Sequence, residues 1–204
     1  MRRTKEEAAV TRATLLKAAL TVFSTKGYAG TSIEAITKAA KVTRGALYHH
    51  FENKADLYNT LLQEVSAKGA TIVQQAVAEG GTFTQILKRI FTRQLEYIED
   101  DKEAREIMEL ALFKTGTHPE LQNGRKKQIE AGQALIEGIT QSMQIGISNS
   151  ELRNDISPTD MARSFIAFQN GVIQMWLVSP RSFSLKSSSE TFADVLIAGL
   201  KSKG

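Results

Sequence analysis

Residues suited to contacting another molecule are concentrated in the segment 31–54, TSIEAITKAAKVTRGALYHHFENK. One side of a helix through its middle carries Arg44, Gly45, Tyr48 and His49. An arginine near a helix start can donate two hydrogen bonds to guanine or bind a phosphate group. Glycine in a helix costs about 1 kcal/mol relative to alanine, but it lets the helix backbone approach a partner closely. These residue types at this spacing predict a surface that contacts double-stranded DNA.

The other predicted contacts in this segment serve phosphate groups. Thr31 and Ser32 offer hydroxyls and free backbone N–H groups at a helix N-terminus, which is a natural phosphate site. Tyr48 and Lys54 are placed to bind phosphates that position the helix without reading the base sequence. The alternatives are a half-buried core tyrosine at Tyr48 and a packing role for His50. The complete set of predicted DNA contacts is Thr31, Ser32, Thr43, Arg44, Gly45, Tyr48, His49 and Lys54.

Local sequence signals place this segment in a helix-turn-helix. Apolar residues at helical spacing predict a first helix over about 6–26, which Gly27 ends. Thr31 and Glu34 have the form of a capping box at the start of a short second helix, and Thr43 caps a third. Two short helices joined by a tight turn and packed on a longer first helix form a helix-turn-helix.

The rest of the chain is also predicted to be helical, which makes the fold class all-α. Pro158 after Ser157 is a strong helix start. Further helices are predicted over about 53–79, 83–99, 107–116, 119–147, 157–179 and 190–201, with a serine-rich loop before the last. We expect an N-terminal three-helix DNA-binding domain over residues 1–54, which continues into the connecting helix 53–79, and a C-terminal helical domain over residues 55–204.

The excess positive charge is confined to the N-terminal part of the chain. Residues 1–60 hold ten Lys and Arg against five Asp and Glu, whereas residues 61–204 hold sixteen against seventeen. A compact basic module attracts polyphosphate over a distance and gains affinity by releasing counterions. A merely solvated basic surface is the other interpretation, so the charge pattern agrees with DNA binding without establishing it.

Composition and motifs exclude several classes of protein. The chain of 204 residues has no cysteine, which removes disulfides, thiolate metal sites and a cysteine nucleophile. The sequence has no P-loop, HExxH, GxSxG or dinucleotide fingerprint, and its three histidines are not spaced with carboxylates as in a metal site. A helical enzyme is therefore a distant alternative, and no catalytic residue, metal or cofactor is predicted.

The chain is predicted to be cytoplasmic and to have no membrane partner. No segment approaches the ~20 consecutive apolar residues that a membrane-spanning helix needs. The first residues, MRRTKEEAAVTR, are basic but lack the apolar core of a signal peptide.

The helix-turn-helix segment resembles the TetR family of transcriptional repressors. The matching residues are Phe23, Gly27, Tyr28, Thr31, Ser32, Ile36, Ala40, Val42, Thr43, Gly45, Leu47, Tyr48, Phe51, Lys54 and Leu57. The strings VTRGALYHHF, RRTKEEA and WLVSPRSFSL are similar to the multidrug-efflux branch that includes AcrR and TtgR. The resemblance implies a repressor that binds a palindromic operator, controls a multidrug efflux system and is released by hydrophobic or aromatic small molecules. A TetR-like regulator that responds to one specific metabolite is the alternative.

Three positions depart from the family pattern. Lys41 stands where the family usually has glycine, so the lysine accepts the backbone geometry of the turn at some energetic cost, or the turn is altered. Thr37 stands where the family usually has alanine, and His49 where the branch often has tryptophan. These departures leave the DNA-binding role intact but make the operator sequence unpredictable.

The resemblance assigns ligand binding and dimerisation to the C-terminal domain. The helices 157–179 and 190–201 are apolar over much of their circumference, and the resemblance implies that they pair with their copies in a homodimer. Glu109, Gln169 and Asn170 lie in apolar stretches, where they either form internal hydrogen bonds or anchor a ligand in an apolar pocket. The resemblance favours the pocket. Its predicted lining is Val65, Leu87, Ile90, Phe91, Met108, Glu109, Leu112, Leu135, Ile139, Ile166, Gln169, Asn170 and Ile173.

Overall fold

The computed structural model describes residues 5–202; residues 1–4, with the start of the RRTKEEA string, and residues 203–204 lie outside this description. The helices are α1 (Lys5–Lys26), α2 (Ile33–Ala40), α3 (Arg44–Tyr48), α4 (Lys54–Ala78), α5 (Phe83–Asp100), α6 (Lys102–Phe113), α7 (Gln122–Ser148), α8 (Pro158–Val178) and α9 (Leu185–Leu200). The turn Pro119–Leu121, where the sequence predicted that α7 begins, is a separate 3₁₀ helix. Within the described residues, extended pairing amounts to one isolated bridge, so the all-α prediction is confirmed. None of the described helices is both long and apolar enough to cross a membrane.

The chain divides into two compact units. The N-terminal unit contains residues 1–67 and 103–125, and the C-terminal unit contains residues 68–102 and 126–204. The N-terminal unit thus extends past the predicted boundary at residue 54, because α4 and α6 contribute buried side chains to the core around α1.

The core of the N-terminal unit lies beneath the helix-turn-helix. α1 packs against α2 and α3. Leu15, Ala19 and Phe23 of α1 are fully buried, as their i, i+4, i+8 spacing predicts. Ile36 of α2 and Leu47 of α3 are fully buried as well. Burying a leucine, isoleucine or phenylalanine side chain contributes about 1.5–3 kcal/mol, so this core holds α3 in one orientation.

Local caps define the ends of several helices. Gly27 has a left-handed φ of +69° and ends α1, as predicted. The Thr43 hydroxyl caps α3 and accepts a hydrogen bond from the Ala46 N–H at 3.1 Å, which is also as predicted. The Ser157 hydroxyl caps α8 in the same way, accepting from the Asp160 N–H at 3.1 Å.

The predicted capping box of Thr31 and Glu34 is wrong. Ser32 caps α2 instead, and its hydroxyl accepts a hydrogen bond from the Ala35 N–H at 3.2 Å. Thr31 is buried, and its hydroxyl donates to the carbonyl of Gly27 at 2.7 Å. Because the turn after α1 draws Thr31 into the core, the second helix is capped one residue later than predicted.

Aromatic rings connect the packed helices of the C-terminal unit. α5 packs along α9, and α8 packs against both. Phe91 of α5 contacts Phe165 and Phe168 of α8, with ring centroids 5.9 and 5.8 Å away. Phe168 in turn lies 6.3 Å from Phe192 of α9. Such aromatic pairs contribute about 0.5–1.5 kcal/mol each beyond the burial of their area, so they help to hold the three helices together.

The last helix begins earlier than the sequence predicted. α9 starts at Leu185, so the serine-rich stretch before residue 190 is helical rather than a loop. The Glu99 carboxylate of α5 accepts hydrogen bonds from the Lys186 N–H at 2.6 Å and from the Ser184 hydroxyl at 3.0 Å. Leu185 is fully buried. A carboxylate from a distant helix is therefore a hydrogen-bond acceptor at the start of α9, which is why the local sequence did not reveal that α9 begins here.

Candidate nucleic-acid interface and ligand site

The outer surface of α3 presents polar groups around an open centre. Thr43, Arg44, Tyr48 and His49 are all exposed. A methyl group added at Gly45 would lie 3.9 Å from Thr43 Oγ1, an ordinary contact, so the backbone there is accessible to a partner. Tyr48 is 48% exposed, which argues against the alternative of a core tyrosine. The arrangement suits close approach of α3 to a groove lined with hydrogen-bonding groups.

Arg44 is held by two neighbours. Its Nη1 lies 2.6 Å from Glu34 Oε1 of α2. Its Nη2 donates to the Tyr48 hydroxyl at 3.4 Å, and its guanidinium carbon lies 5.9 Å from the centre of the Tyr48 ring. The backbone N–H of Glu34, and next the charge of Arg44, hold the pKa of the Glu34 carboxyl below its ordinary value. The sequence suggested only a capping role for Glu34, because nothing in the local pattern shows that α2 and α3 bring these two charges together.

Ser32 directly precedes α2, and His49 directly follows α3. Both residues are exposed. The Ser32 hydroxyl caps α2, and the His49 ring meets the His50 ring edge-on at 5.1 Å. His50 itself is half-buried, as expected for a packing histidine. Ser32 and His49 stay predicted DNA contacts.

Thr31 and Lys54 are engaged inside the N-terminal unit. Thr31 is 4% exposed. The Lys54 ammonium donates to the carbonyl of Tyr28 at 3.2 Å and lies 4.3 Å from the centre of the Tyr28 ring. It also lies 3.8 Å from Glu120 Oε1. Both side chains thus have partners inside the unit, and their contacts with phosphates stay predictions.

The turn between α2 and α3 contains a lysine in a strained conformation. Lys41 has φ 55° and ψ 39°, in the left-handed region that favours glycine. A residue with a Cβ costs roughly 1–2 kcal/mol there. The expectation that a lysine adopts the turn geometry usually provided by glycine is confirmed.

A segment distant in sequence packs behind the helix-turn-helix. The carbonyl of Lys114, just after α6, accepts a hydrogen bond from the Tyr28 N–H at 3.1 Å. The buried Tyr28 hydroxyl donates to Glu120 Oε2 at 3.0 Å, and the His118 ring lies 5.2 Å from the Tyr28 ring. Burial, and next the hydrogen bond with Glu120, raise the pKa of Tyr28. The connection between α6 and α7 is thus part of the support for α3, which the sequence did not indicate.

The predicted ligand-pocket residues fall in both units. Val65, Met108, Glu109 and Leu112 belong to the N-terminal unit, where Leu112 is 47% exposed and the other three are half-buried. The others belong to the C-terminal unit. Those that are buried are Leu87, Phe91 and Ile173. Those that are half-buried are Ile90, Ile139, Ile166 and Gln169. Those that are exposed are Leu135 and Asn170.

The two neighbouring polar residues of α8 point in different directions. The Gln169 side-chain amide donates to Oε1 of Gln94 on α5. Asn170 lies on an exposed stripe with Gln174 and Val178, at i, i+4 and i+8. Of these two residues, Gln169 therefore contacts another helix of the C-terminal unit, whereas Asn170 lies on the exposed side of α8.

A groove of about 580 Å³ lies between α7 and α8 within the C-terminal unit. Its lining residues are Gln133, Ile136, Glu137, Thr140, Gln141, Thr159 and Arg163. This mostly polar set contains none of the predicted pocket residues. In the described part of the chain, no group of histidine, aspartate and glutamate side chains is arranged to hold a metal ion.

α8 and α9 expose apolar side chains beside open glycines. Met175 and Val178 of α8 are 65% and 69% exposed, and Val195 of α9 is 61% exposed. A methyl group at Gly171 or Gly199 would meet nothing within 4 Å. Met175 and Val178 are neighbours on one helix face, and adjacent exposed apolar groups of this kind mark interaction surfaces, where glycines let a second helix approach closely.

Comparison with known families yields two matches that together cover most of the chain. Residues 15–61 match the family described as bacterial regulatory proteins, tetR family. Residues 83–202 match the C-terminal region of MAATS-type transcriptional repressors. The first match contains α2, α3 and the exposed surface around Arg44, and the second contains α5, α8 and α9.

Individual relatives match over nearly their full length. The HTH-type transcriptional regulator AcrR of Shigella flexneri is 30% identical over 198 residues, which cover 96% of this chain and 92% of that protein. The HTH-type transcriptional regulator TtgR of Pseudomonas putida is 29% identical over 199 residues, covering 95% and 93%. The crystal structure of NalD, the secondary repressor of the MexAB-OprM multidrug efflux pump in Pseudomonas aeruginosa, is similar with a TM-score of 0.86 and 26% identity, covering 98% of this chain and 100% of that one.

Proposed function

This chain belongs to the TetR family of bacterial regulatory proteins, and from that premise we propose that it is a ligand-responsive repressor that binds a palindromic operator as a homodimer. The observation that carries the proposal is the outer face of α3, where Arg44 and Tyr48 are exposed beside the open backbone of Gly45. In the major groove, Arg44 would contact guanine, and Tyr48 would bind a phosphate that positions the helix.

The symmetry of the proposed operator follows from the dimer. A homodimer with two-fold symmetry presents two copies of α3, and helix-turn-helix dimers bind half-sites about 34–36 Å apart or at multiples of that distance. Two identical recognition surfaces related by a two-fold axis match a palindromic sequence. The excess positive charge of residues 1–60 supports binding of DNA through the N-terminal unit, because it attracts that unit to the phosphates.

The exposed apolar face of α8 and α9 supports the proposed dimer. Met175, Val178 and Val195 are each more than half exposed in a single chain, and each is apolar. If α8 and α9 pack against their copies, a four-helix arrangement covers these side chains and the open backbone at Gly171 and Gly199. The same contact joins two chains, each of which carries one copy of α3.

The proposed inducer is a hydrophobic or aromatic small molecule, and the proposed target is a multidrug efflux system. The similarity to NalD over the whole chain supports the efflux assignment. Leu87, Phe91 and Ile173 supply apolar surface, and Gln169 supplies a polar anchor. Ligand binding then weakens DNA binding by the same factor by which DNA binding weakens ligand binding. To convert a mostly DNA-competent population into a mostly released one, the ligand must bind the released conformation more tightly by about 5.5 kcal/mol.

Selection from random DNA followed by ligand titration tests this function. We expect the wild-type protein to enrich a palindromic site, and we expect Arg44→Ala to bind that site more weakly. The matched control is Arg163→Ala, which removes the same charge from an exposed position on α8 and should leave DNA binding unchanged. Recovery of an asymmetric half-site bound by a monomer would contradict the proposal.

The inducer class is tested on the selected operator with two probes of different chemistry. Triclosan represents hydrophobic aromatic compounds, and decanoyl-CoA represents an acyl thioester metabolite. Release by triclosan supports the multidrug assignment. Release by decanoyl-CoA alone would instead favour the regulator of one specific metabolite.

A further inference from the structure

Glu34 and Tyr48 contact different nitrogens of the Arg44 guanidinium. Glu34 Oε1 lies 2.6 Å from Nη1, and the Tyr48 hydroxyl accepts from Nη2 at 3.4 Å. The side chains of Arg44 and Glu34 are 58% and 61% exposed, so the pair lies at the surface that would meet DNA. A guanidinium has five N–H donors, and these two contacts leave three of them free. Three free donors are enough for the two parallel hydrogen bonds that recognise guanine.

The charge of Glu34 also changes what Arg44 can bind. An unrestrained arginine on this face is attracted to the nearest phosphate, and this attraction is independent of sequence. A carboxylate within ion-pair distance offsets the arginine charge and repels phosphate oxygens, but it does not prevent hydrogen bonding to a neutral base edge. An arginine restrained in this way therefore favours base edges over phosphates.

We propose that Glu34 is a positioning residue that directs Arg44 to a base pair of the operator and away from the DNA phosphates, and this inference rests on the proposed DNA-binding function. Glu34 thereby sets sequence specificity without contacting the base that is read. Two other roles of Glu34 are distinct from this one. Its charge in the first turn of α2 interacts favourably with the helix dipole, whether or not it positions Arg44. A carboxylate can also accept a hydrogen bond from cytosine directly.

The test compares Glu34→Gln, Arg44→Ala and the double variant with the wild-type full-length protein. Glutamine keeps the shape and an acceptor oxygen of glutamate but removes its charge. Glu6→Gln is the matched control, because it removes the same charge from the first turn of another helix, α1, in the same unit. Each protein is used to select sites from a random DNA pool. Its affinity for the selected operator and for random-sequence DNA is then measured over a range of salt concentrations, and its melting temperature is recorded.

We expect Glu34→Gln to bind random-sequence DNA more tightly, with a salt slope steeper by about 0.9 for each arginine that reaches a phosphate. The preference at one base pair of each half-site should fall by roughly tenfold, at the same pair that Arg44→Ala affects. Glu34→Gln combined with Arg44→Ala should add no further loss of base preference, and Glu6→Gln should leave base preference unchanged.

Three results would overturn the inference. If Glu34→Gln lowers the melting temperature but keeps the base preference, Glu34 only stabilises α2. If the preference changes at a different base pair from the one that Arg44→Ala affects, Glu34 contacts a base itself. If the wild-type protein enriches no palindromic site, the proposed function fails, and the inference fails with it. The first two results leave the proposed function intact, so the two failures are distinguishable.

Discussion

The buried hydroxyl of Tyr28 donates a 3.0 Å hydrogen bond to Glu120, in the 3₁₀ turn that precedes α7. Tyr28 lies in the connection from α1 to α2, so the bond joins the helix-turn-helix to a segment ninety-two residues away in sequence. The Lys54 ammonium lies 3.8 Å from the other carboxylate oxygen of Glu120. Glu120 therefore holds two residues that belong to the framework of the DNA-binding surface.

Tyr28→Phe should lower the free energy of unfolding by about 1 kcal/mol, because it removes one hydrogen bond and leaves the ring packing in place. Urea denaturation at neutral pH measures the change. Tyr48→Phe is the matched control, since its hydroxyl is at an exposed position and its loss should change stability by less than about 0.5 kcal/mol. Equal effects of the two substitutions would show that the Tyr28–Glu120 bond contributes nothing to stability.

The raised pKa of Tyr28 predicts loss of stability in alkali. The ordinary pKa is 10.0, and burial followed by the hydrogen bond with Glu120 raises it in the folded chain. The unfolded chain then ionises first, so the stabilisation is complete below pH 10 and falls as the pH rises above it. Between pH 10 and 11 we expect a loss of about 1 kcal/mol from this residue. Tyr28→Phe should lose less over that interval in urea denaturation, and an identical loss in both proteins would contradict the assignment.

Lys41→Gly should stabilise the protein by about 0.5–1 kcal/mol, because glycine adopts the left-handed conformation without a Cβ penalty and loses part of the gain to chain entropy. Lys38→Gly removes the same charge from within α2 and should destabilise the protein by about 1 kcal/mol. Denaturation midpoints of the two variants test the opposite signs. A destabilised Lys41→Gly variant would mean that the lysine side chain makes a compensating contribution.

Met175→Glu should shift the protein from dimer towards monomer, because it places a charge in the proposed apolar contact of α8. Sedimentation velocity at several concentrations measures the shift. Ile145→Glu is the control, since Ile145 is 59% exposed on α7 outside the proposed contact. If both variants remain dimeric, the dimer is formed by another surface.

Gln169→Leu should weaken the response to triclosan more than Asn170→Leu does. Gln169 hydrogen-bonds to Gln94 across the helix pair, whereas Asn170 lies on the exposed stripe of α8. Operator release is measured against triclosan concentration for both variants, each of which should bind operator DNA as the wild type does. A loss of response confined to Asn170→Leu would show that Asn170, not Gln169, is the polar anchor of the ligand.

The sequence by itself determined those features that depend on neighbours within one or two helical turns. The buried stripe of Leu15, Ala19 and Phe23 follows from helical spacing, and the caps at Thr43 and Ser157 follow from a hydroxyl three residues before a free N–H. The residues of the turn and recognition helix were also sufficient to indicate the TetR family, which the family matches confirmed.

The tertiary structure alone decided which of those residues are exposed and which have partners inside the unit. Thr31 and Lys54 have the residue types of DNA contacts, but the core and Tyr28 engage them. Glu34 resembled a helix cap, but the angle between α2 and α3 pairs it with Arg44. The periodicity of a helix specifies the direction of a side chain relative to its own axis. It contains no information about which distant side chain lies in that direction, because helix packing determines such contacts.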